Sequence, residues 1–440
     1  WLQAAKPRAA MVVAALLLLG LACGWPCVAA GPLNVGIVGA GPAGLSFALG
    51  LRRLLGADVR VRVFDRSDQL RPQLGGGVQL NSGAAVLGRL GLRPELLAAG
   101  RPARRVVSRN VDRDVLLDFD IEGALREDPR SREAGLVGDD GNVLALTIMR
   151  DRLQEILAGA LPADILEFGK SLADVRLCPG SGGDPAVRCT FEDGDEADFD
   201  LLVGADGIRS VVRERVVGGG DEPGNTRIRI IWGVAPAGSR PAGSEEELHQ
   251  WFGRGCYCLS ASYGGRDGKT YDQCVAVFAD DSGLPDINPS WDTAEARGSL
   301  VARCEAGGMP AEVLRVASAC ERVFELGSYF RNPLVPWSGL GGRAVLLGDA
   351  AHAMPPFLGQ GANQGIQDAY CLAKELEAFR SGRHASMADA LGAYEATRKF
   401  PCARLTLNSR ILGFVETSLP EIGRDAFFRT VTALGITRFI

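Results

Sequence analysis

The sequence predicts an α/β fold in which a parallel sheet offers its carboxyl edge to a ligand, with an inserted β-rich domain and C-terminal helices. Three stretches carry this reading. An apolar run, Leu33 to Val38, enters the glycine turn Gly39-Ala-Gly41-Pro-Ala-Gly44 and then a helix with Leu45, Ala48, Leu49 and Leu55 inward. A second run, Phe199 to Val203, leads into Gly204-Ala-Asp206-Gly207-Ile-Arg209-Ser210. A third, Ala344 to Leu347, ends at Gly348 and Asp349, ahead of a loop stiffened by Pro355 and Pro356, then Gly359, Gly361 and a helix with Ile366, Ala369, Tyr370, Ala373 and Leu376 on one face. Short continuous apolar runs are the mark of strands buried on both faces, and such sheets bind ligands outside the carboxyl ends of their strands.

The 440 residues allow one large or two medium domains. With 46% hydrophobic and 23% charged residues and a net charge of −5, the composition excludes extended disorder and a basic nucleic-acid surface, which leaves a small molecule as partner. The 57 glycines exceed an average usage of about 7%. They concentrate after strands, where backbone approaches a ligand, although a GC-rich gene would also enrich them. Eleven cysteines without a Cys-x-x-Cys pair, and three distant histidines (His249, His352, His384), argue against zinc and against any metal site. Cys256 and Cys258 read as neighbours on one strand face.

In residues 1–30, Lys6 and Arg8 precede an apolar run from Met11 to Cys23, and Val28, Ala29 and Ala30 supply small residues before Gly31. This is the pattern of a signal peptide cleaved near Gly31, of an anchor, or of the front of a bipartite targeting sequence. The uninterrupted core, Met11 to Leu19, is shorter than the roughly 20 apolar residues of a membrane span, yet offers membrane attachment. Localisation stays open between the secretory pathway, an organelle and the cytoplasm.

Within the first stretch, Gly39 permits the tight turn, Gly41 lets backbone reach a pyrophosphate, and Gly44 allows close helix packing. Pro42 suits a first helical position, with Ala43 after it. A second strand, Val59 to Phe64, ends at Asp65, followed by Arg66. An acid there hydrogen-bonds an adenosine ribose and repels a 2′-phosphate, which favours NAD or FAD over NADP in this Rossmann-like unit.

Residues 75–92 read as a glycine turn, a short strand and a helix capped near Asn81 or Ser82. Residues 121–142 lack periodicity and read as a surface loop or lid. Arg150 starts a helix burying Leu153, Ile156 and Leu157, placed either to meet a phosphate or flavin or as an ordinary solvated arginine. Val187 to Phe191 and Phe199 to Val203 are strands, and the loop after the second carries Asp206 toward the sheet edge. Beyond about residue 220, β-rich segments (Arg227 to Trp232, Cys274 to Phe278) and helices near 293–305 and 310–322 form a domain that roofs a pocket. The predicted divisions are 31–215, which also carries part of the substrate pocket, and 340–385 for the cofactor domain, 216–339 for the substrate domain and 386–440 for a helical end.

In this order and spacing, the three motifs resemble those of the FAD-dependent aromatic hydroxylases, the class A flavoprotein monooxygenases that include para-hydroxybenzoate hydroxylase, salicylate hydroxylase and kynurenine monooxygenase. The likeness covers roughly Leu33 to Arg398, and GADGIRSVVR (Gly204 to Arg213) with LGDAAHAMPPFLGQGANQGIQDA (Leu347 to Ala369) make it specific. It implies a glutathione-reductase-type FAD-binding domain. By that likeness Gly39, Gly41, Gly44 and Asp65 hold the adenosine diphosphate half, Asp349 the ribitol or pyrophosphate side, and Ala362 with Asn363 the pyrimidine edge. Arg150 matches the family's Arg-x-x-Leu position, and Asp206 supports the site shared by FAD and NAD(P)H.

The resemblance further implies that NADH or NADPH binds transiently as electron donor, and that a flavin C4a-hydroperoxide passes one atom of molecular oxygen to a small aromatic or conjugated lipophilic substrate, by hydroxylation or epoxidation. No catalytic Ser, Cys or His is then required, and His352 is structural. A second glycine-rich nucleotide fold is missing, as expected for a transient donor, and Trp232-Gly-Val-Ala-Pro236 does not match the halogenase signature Trp-x-Trp-x-Ile-Pro. A secretory signal would sit awkwardly with NAD(P)H use. Two other readings share the fold: a flavin-dependent reductase or dehydrogenase of isoprenoid chains, and a redox-inactive FAD-binding module.

Overall fold

The computed structural model describes residues 31–70, 75–180, 184–218, 221–280 and 293–434. The N-terminal segment that suggested a signal or anchor lies outside them. No helix among the described residues is long and apolar enough to cross a membrane.

A six-stranded sheet runs Ser338–Gly339, Ala344–Leu346, Leu201–Gly204, Leu33–Val38, Val59–Phe64, Leu166–Glu167, all parallel except the short first strand. Leu33–Val38 is the centre from which the chain builds outward in both directions, so a topological switch point lies between it and Leu201–Gly204. The register matters most: Val38 pairs with both Phe64 and Gly204, and Gly204 pairs with Leu346. The loops that follow these strands therefore leave the sheet side by side, at one level.

Val59–Phe64 alternates, with Val59, Val61 and Val63 inward and Arg60 and Arg62 outward. Phe64 packs on Phe191 and Phe199, with ring centroids 4.7 and 5.7 Å away, which docks the antiparallel sheet Leu172–Pro179, Pro185–Phe191, Glu196–Phe199 against the parallel one. The single strand expected from Phe199 to Val203 is thus two: Glu196–Phe199 belongs to the antiparallel sheet and Leu201–Gly204 to the parallel one. The chain turns between them at Asp200, whose carboxylate accepts from the Asn34 amide at 2.8 Å. Helix Pro42–Leu55 packs closely on helix Gly361–Arg380, where a Cβ on Gly50 would lie 3.3 Å from that of Ala373.

The second layer is a ten-stranded mixed sheet. Arg322–Phe330, Gly224–Pro236, Thr270–Ala279, Tyr257–Gly264 and Glu247–Phe252 come from the later chain, while Arg105–Asn110, Val115–Asp120, Leu146–Met149, Gly77–Leu80 and Arg101–Pro102 come from before residue 150. One face, with Ile231, Cys258, Cys274 and Phe278, buries Leu300, Cys304, Val313 and Val316 of helices Thr293–Ala306 and Ala311–Ser318. Cysteines scattered in sequence gather here: the sulfurs of Cys258, Cys274 and Cys304 lie within 4.8 Å of one another, in an apolar core where a thiol packs as a small hydrophobe.

The opposite face, with Ile228, Ile230, Tyr257, Val275 and Val277, meets Phe357 and the C-terminal helices Met387–Ser418 and Glu421–Ala433. Residues 121–142, expected as an irregular loop, contain two short helices, Ile121–Glu127 and Pro129–Glu133. Each is started by an acid, Asp120 or Asp128, that accepts from an amide of the first turn, a local signal too short to register as periodicity.

Candidate functional site at the carboxyl edge of the parallel sheet

Three loops from distant parts of the chain meet at the sheet edge and are stitched by backbone hydrogen bonds. The Gly39 amide donates to Phe64 O at 2.7 Å, Ala205 N to Val38 O at 2.8 Å, and Leu347 N to Gly204 O at 3.0 Å. Gly39 has φ +107°, and a Cβ there would stand 2.3 Å from Ala205 O. On Gly44 a Cβ would stand 2.0 Å from Gly39 O, so both positions exclude any side chain. Gly41 is different: a Cβ there would meet nothing within 4 Å, which leaves open space over the start of helix Pro42–Leu55. Ala43 is where the first and third motifs touch. Gly348 and Gly365 approach it so closely that added Cβ atoms would lie 3.0 and 3.1 Å from its own.

The acids at this edge differ in how much of their bonding capacity the protein uses. Asp65 accepts from Ala40 N at 2.9 Å and Ser67 N at 2.8 Å, which fixes the carboxylate. It retains lone pairs for two further donors, since a carboxylate accepts about four hydrogen bonds. Arg66 beside it is exposed. Asp206 turns to its own helix, Val211–Val217: its oxygens accept from Ser210 Oγ at 2.5 Å and Val211 N at 2.8 Å. Burial raises its pKa, against the lowering effect of those donors. Asp349 is exposed and makes no side-chain hydrogen bond within the described residues. Of the three it is the acid with its whole acceptor capacity turned outward.

Arg150 begins helix Arg150–Gly159, with its amide 3.2 Å from Gly76 O and its aliphatic stem against the Gly75 turn, where a Cβ would lie 3.4 Å from Arg150 Cδ. The same helix carries Gln154, which donates to Ala40 O at 2.6 Å and pins the glycine turn from above. Sequence reading passed over Gln154, because nothing marks a lone glutamine on a helix face.

The third motif is braced from behind. Asp368, fully buried, accepts from Gly348 N at 3.0 Å, His352 Nε2 at 2.5 Å and Arg398 Nε at 2.7 Å. Burial alone would raise its pKa, but the two cations prevail and hold it at about 2. Burial likewise opposes charge on His352, and Asp368 overcomes it, so the imidazole's pKa stands well above the usual 6.5. Arg213 is 1% exposed and donates to Ala350 O at 2.8 Å, Ala351 O at 2.7 Å and Asn332 O at 3.0 Å, with Asp221 on its Nε, locking the second motif onto the third. A charged residue inside an apolar stripe, such as Asp368 beside Ile366, Ala369 and Leu372, was the available signal.

At the start of helix Gly361–Arg380 the first intrahelical bond runs from Gln364 N to Gln360 O at 2.9 Å. The amides of Gly361, Ala362 and Asn363 therefore precede the ladder. The Asn363 side chain is spent inside the protein. Its Oδ1 accepts from Asn81 N and Gly83 N, both at 3.0 Å, and its Nδ2 donates to Gln79 O at 2.9 Å and Gly359 O at 3.1 Å. Asn363 is fully buried, and its side chain sets where the helix start lies against the Gly77–Leu80 strand.

The ten-stranded sheet supplies the facing wall. A Cβ on Gly76 would be 2.5 Å from the Trp232 ring, and Gln79 Oε1 lies 2.9 Å from the Cβ position of Gly359. Trp232 and Leu259 are only partly buried on a face whose neighbours Ile230, Val275 and Tyr257 are buried. The arrangement offers amides and an unspent acid along one edge and an apolar, aromatic wall beside it.

The family model described as FAD binding domain matches residues 32–231 and 338–409, the two segments that build this edge. The chain is 34% identical over 396 residues to 3-amino-4-hydroxybenzoate 2-monooxygenase of Streptomyces cremeus, covering 88% of this chain and 89% of the relative. It is 30% identical over 377 residues to aurachin C monooxygenase/isomerase of Stigmatella aurantiaca, covering 83% and 85%. Among solved structures, Klebsiella pneumoniae HpxO complexed with FAD and uric acid superposes with a TM-score of 0.73 at 21% identity, covering 91% of this chain and 93% of that one, a likeness of fold. The chain belongs to the FAD binding domain family of flavoprotein monooxygenases, the aromatic-ring hydroxylases among them.

Proposed function

We propose that this FAD-dependent monooxygenase hydroxylates or epoxidises a small aromatic or conjugated substrate held between the sheet edge and the wall of Trp232 and Leu259, with NADH or NADPH as transient donor. The observation that carries the reading is the shared register of Val38, Phe64, Gly204 and Leu346, which delivers all three motif loops to one place. Relatives named for hydroxybenzoates and for zeaxanthin support a conjugated ring or polyene as substrate class.

The residues present fit FAD. The open space at Gly41 over a helix start suits a pyrophosphate, and the spare lone pairs of Asp65 suit an adenosine ribose. The unspent carboxylate of Asp349 suits hydroxyls of the ribitol, and the amides of Gly361, Ala362 and Asn363 suit the electron-rich pyrimidine edge. When bound, FAD supplies electron storage and the activation of oxygen. The chain's own part is positional and electrostatic. The helix start stabilises negative charge that develops on its ligand, and Asp368 keeps the Gly348 turn in place. Trp232, Leu259 and Phe357 exclude water from the reacting face.

The test is NAD(P)H oxidation by the FAD-loaded protein across a panel of phenolic, indolic and polyene compounds. The reading requires slow oxidation alone and marked, oxygen-dependent acceleration by a true substrate. Equal rates with and without oxygen would favour a reductase.

A further inference from the structure

Helix Met387–Ser418 is inverted over its second half. From Arg398 onward its buried positions are polar or small, Val415 excepted. Arg398 reaches Asp368, Ser409 donates to Pro355 O at 2.6 Å, and Gly413 admits the Phe357 ring, from which a Cβ would stand 2.4 Å away. The large apolar side chains lie on the outer face instead: Phe400, Leu407, Ile411 and Phe414 are 72, 55, 52 and 56% exposed. A surface helix ordinarily turns its apolar stripe inward, and a line of exposed apolar side chains marks a surface that something covers.

The spacing of the stripe says what kind of partner fits. Phe400, Arg404, Leu407, Ile411 and Phe414 follow one another at steps of four, three, four and three residues. That is the repeat of about 3.5 residues that keeps a narrow seam facing one partner helix along its length. Arg404 then chooses between orientations. It is exposed, has no hydrogen-bonding or ion-pair partner among the described residues, and no acid is exposed between Ala396 and Ser418. Arg410 beside the stripe is turned onto the Phe330 ring, 4.2 Å from its centroid. Two copies of the helix packed in parallel would set Arg404 on Arg404. Packed antiparallel about a two-fold axis level with Ser409, the same stripe sets Leu407 on Ile411 of the second copy and Arg404 on the Phe414 ring of the second copy, a cation–π pair made twice. The stripe is complementary to itself in that orientation.

We propose that this face is the interface of a homodimer, in which the Met387–Ser418 helices of two copies pack antiparallel along Phe400, Arg404, Leu407, Ile411 and Phe414. The interface goes beyond the flavin chemistry and stands or falls separately from it. One helix stripe supplies less than the roughly 800 Å2 that each partner gives to a standard interface, so the dimer is expected to dissociate at micromolar concentrations.

Sedimentation of the FAD-loaded full chain over a concentration series tests this, with FAD content as the control for folding. A monomer–dimer equilibrium is expected. Leu407→Glu, which sets a carboxylate against Ile411 of the second copy, should weaken the dimer at least hundredfold and leave FAD content native, because Leu407 stands on the exposed face. Arg404→Ala should weaken it about tenfold, since the two-fold axis doubles the lost contact. A chain that stays monomeric into the hundreds of micromolar, a dimer indifferent to Leu407→Glu, a dimer tightened by Arg404→Ala, or a monomer that binds vesicles of phosphatidylcholine and phosphatidylserine until Leu407→Glu releases it would each overturn the proposal.

Discussion

Replacing Asp368 with Asn should be among the most damaging single changes around the site, although Asp368 faces no ligand. The carboxylate is fully buried and bonds Gly348 N, His352 and Arg398 at 3.0, 2.5 and 2.7 Å. Its drop from the usual 3.8 to about 2 corresponds to roughly 2 to 3 kcal/mol of stability at neutral pH. Asn keeps the size but leaves Arg398 and His352 without their counter-charge, and breaking a buried pair costs about 3 to 5 kcal/mol. Urea unfolding of flavin-free protein at neutral pH, where no ligand shifts the midpoint, should register a loss in that range. The sign of the pH dependence is fixed by a lowered pKa: the contribution is present above the unfolded value and fades as pH falls through about 2. The gap between native and variant should therefore narrow between about pH 4 and pH 2. His352 works oppositely, its raised pKa giving stability below the usual 6.5 that is lost only as pH rises through the elevated value. A variant within about 1 kcal/mol of native, or a gap indifferent to acid, would refute the reasoning.

Two further substitutions separate structural from ligand roles. Gly44→Ala places a Cβ 2.0 Å from the Gly39 carbonyl oxygen, a backbone collision that must displace the helix start, so FAD per chain should fall at least tenfold; native FAD content would show that the turn tolerates the shift. Asp349→Ala removes an exposed carboxylate with no side-chain hydrogen bond among the described residues, so stability should stay within about 0.5 kcal/mol of native while FAD binding weakens by about 1 to 3 kcal/mol, and unchanged affinity in fluorescence titration would remove Asp349 from the site.

Much of the fold was legible because it is written locally. Leu33–Val38, Val59–Phe64 and helix Pro42–Leu55 follow from apolar runs, one alternation and a glycine turn, and each stands where the sequence placed it. What stayed hidden depends on pairing across the chain. Nothing local says that Arg105–Asn110 lies beside Glu247–Phe252, so the β-rich layer read as residues after 220 alone. The break at Asp200 was missed for the same reason, since Phe199 and Leu201 to Val203 are apolar on either side of it and only the partner strands differ. In the site, the motif residues were legible and their braces were not. Gln154, Arg213 and Asp368 act through bonds to carbonyls and turns that sequence cannot pair in advance. Asn363 was singled out for its backbone, and its side chain proves to be the bolt between two elements.

The most direct test of the account is turnover under labelled dioxygen, with the FAD-loaded protein, NAD(P)H and a substrate that accelerates its oxidation. The account predicts product carrying one labelled oxygen atom for each NAD(P)H consumed when coupling is tight, with label absent from product when only the water is labelled. A broad panel of phenolic, indolic and polyene compounds that yields hydrogen peroxide but never labelled product would contradict it.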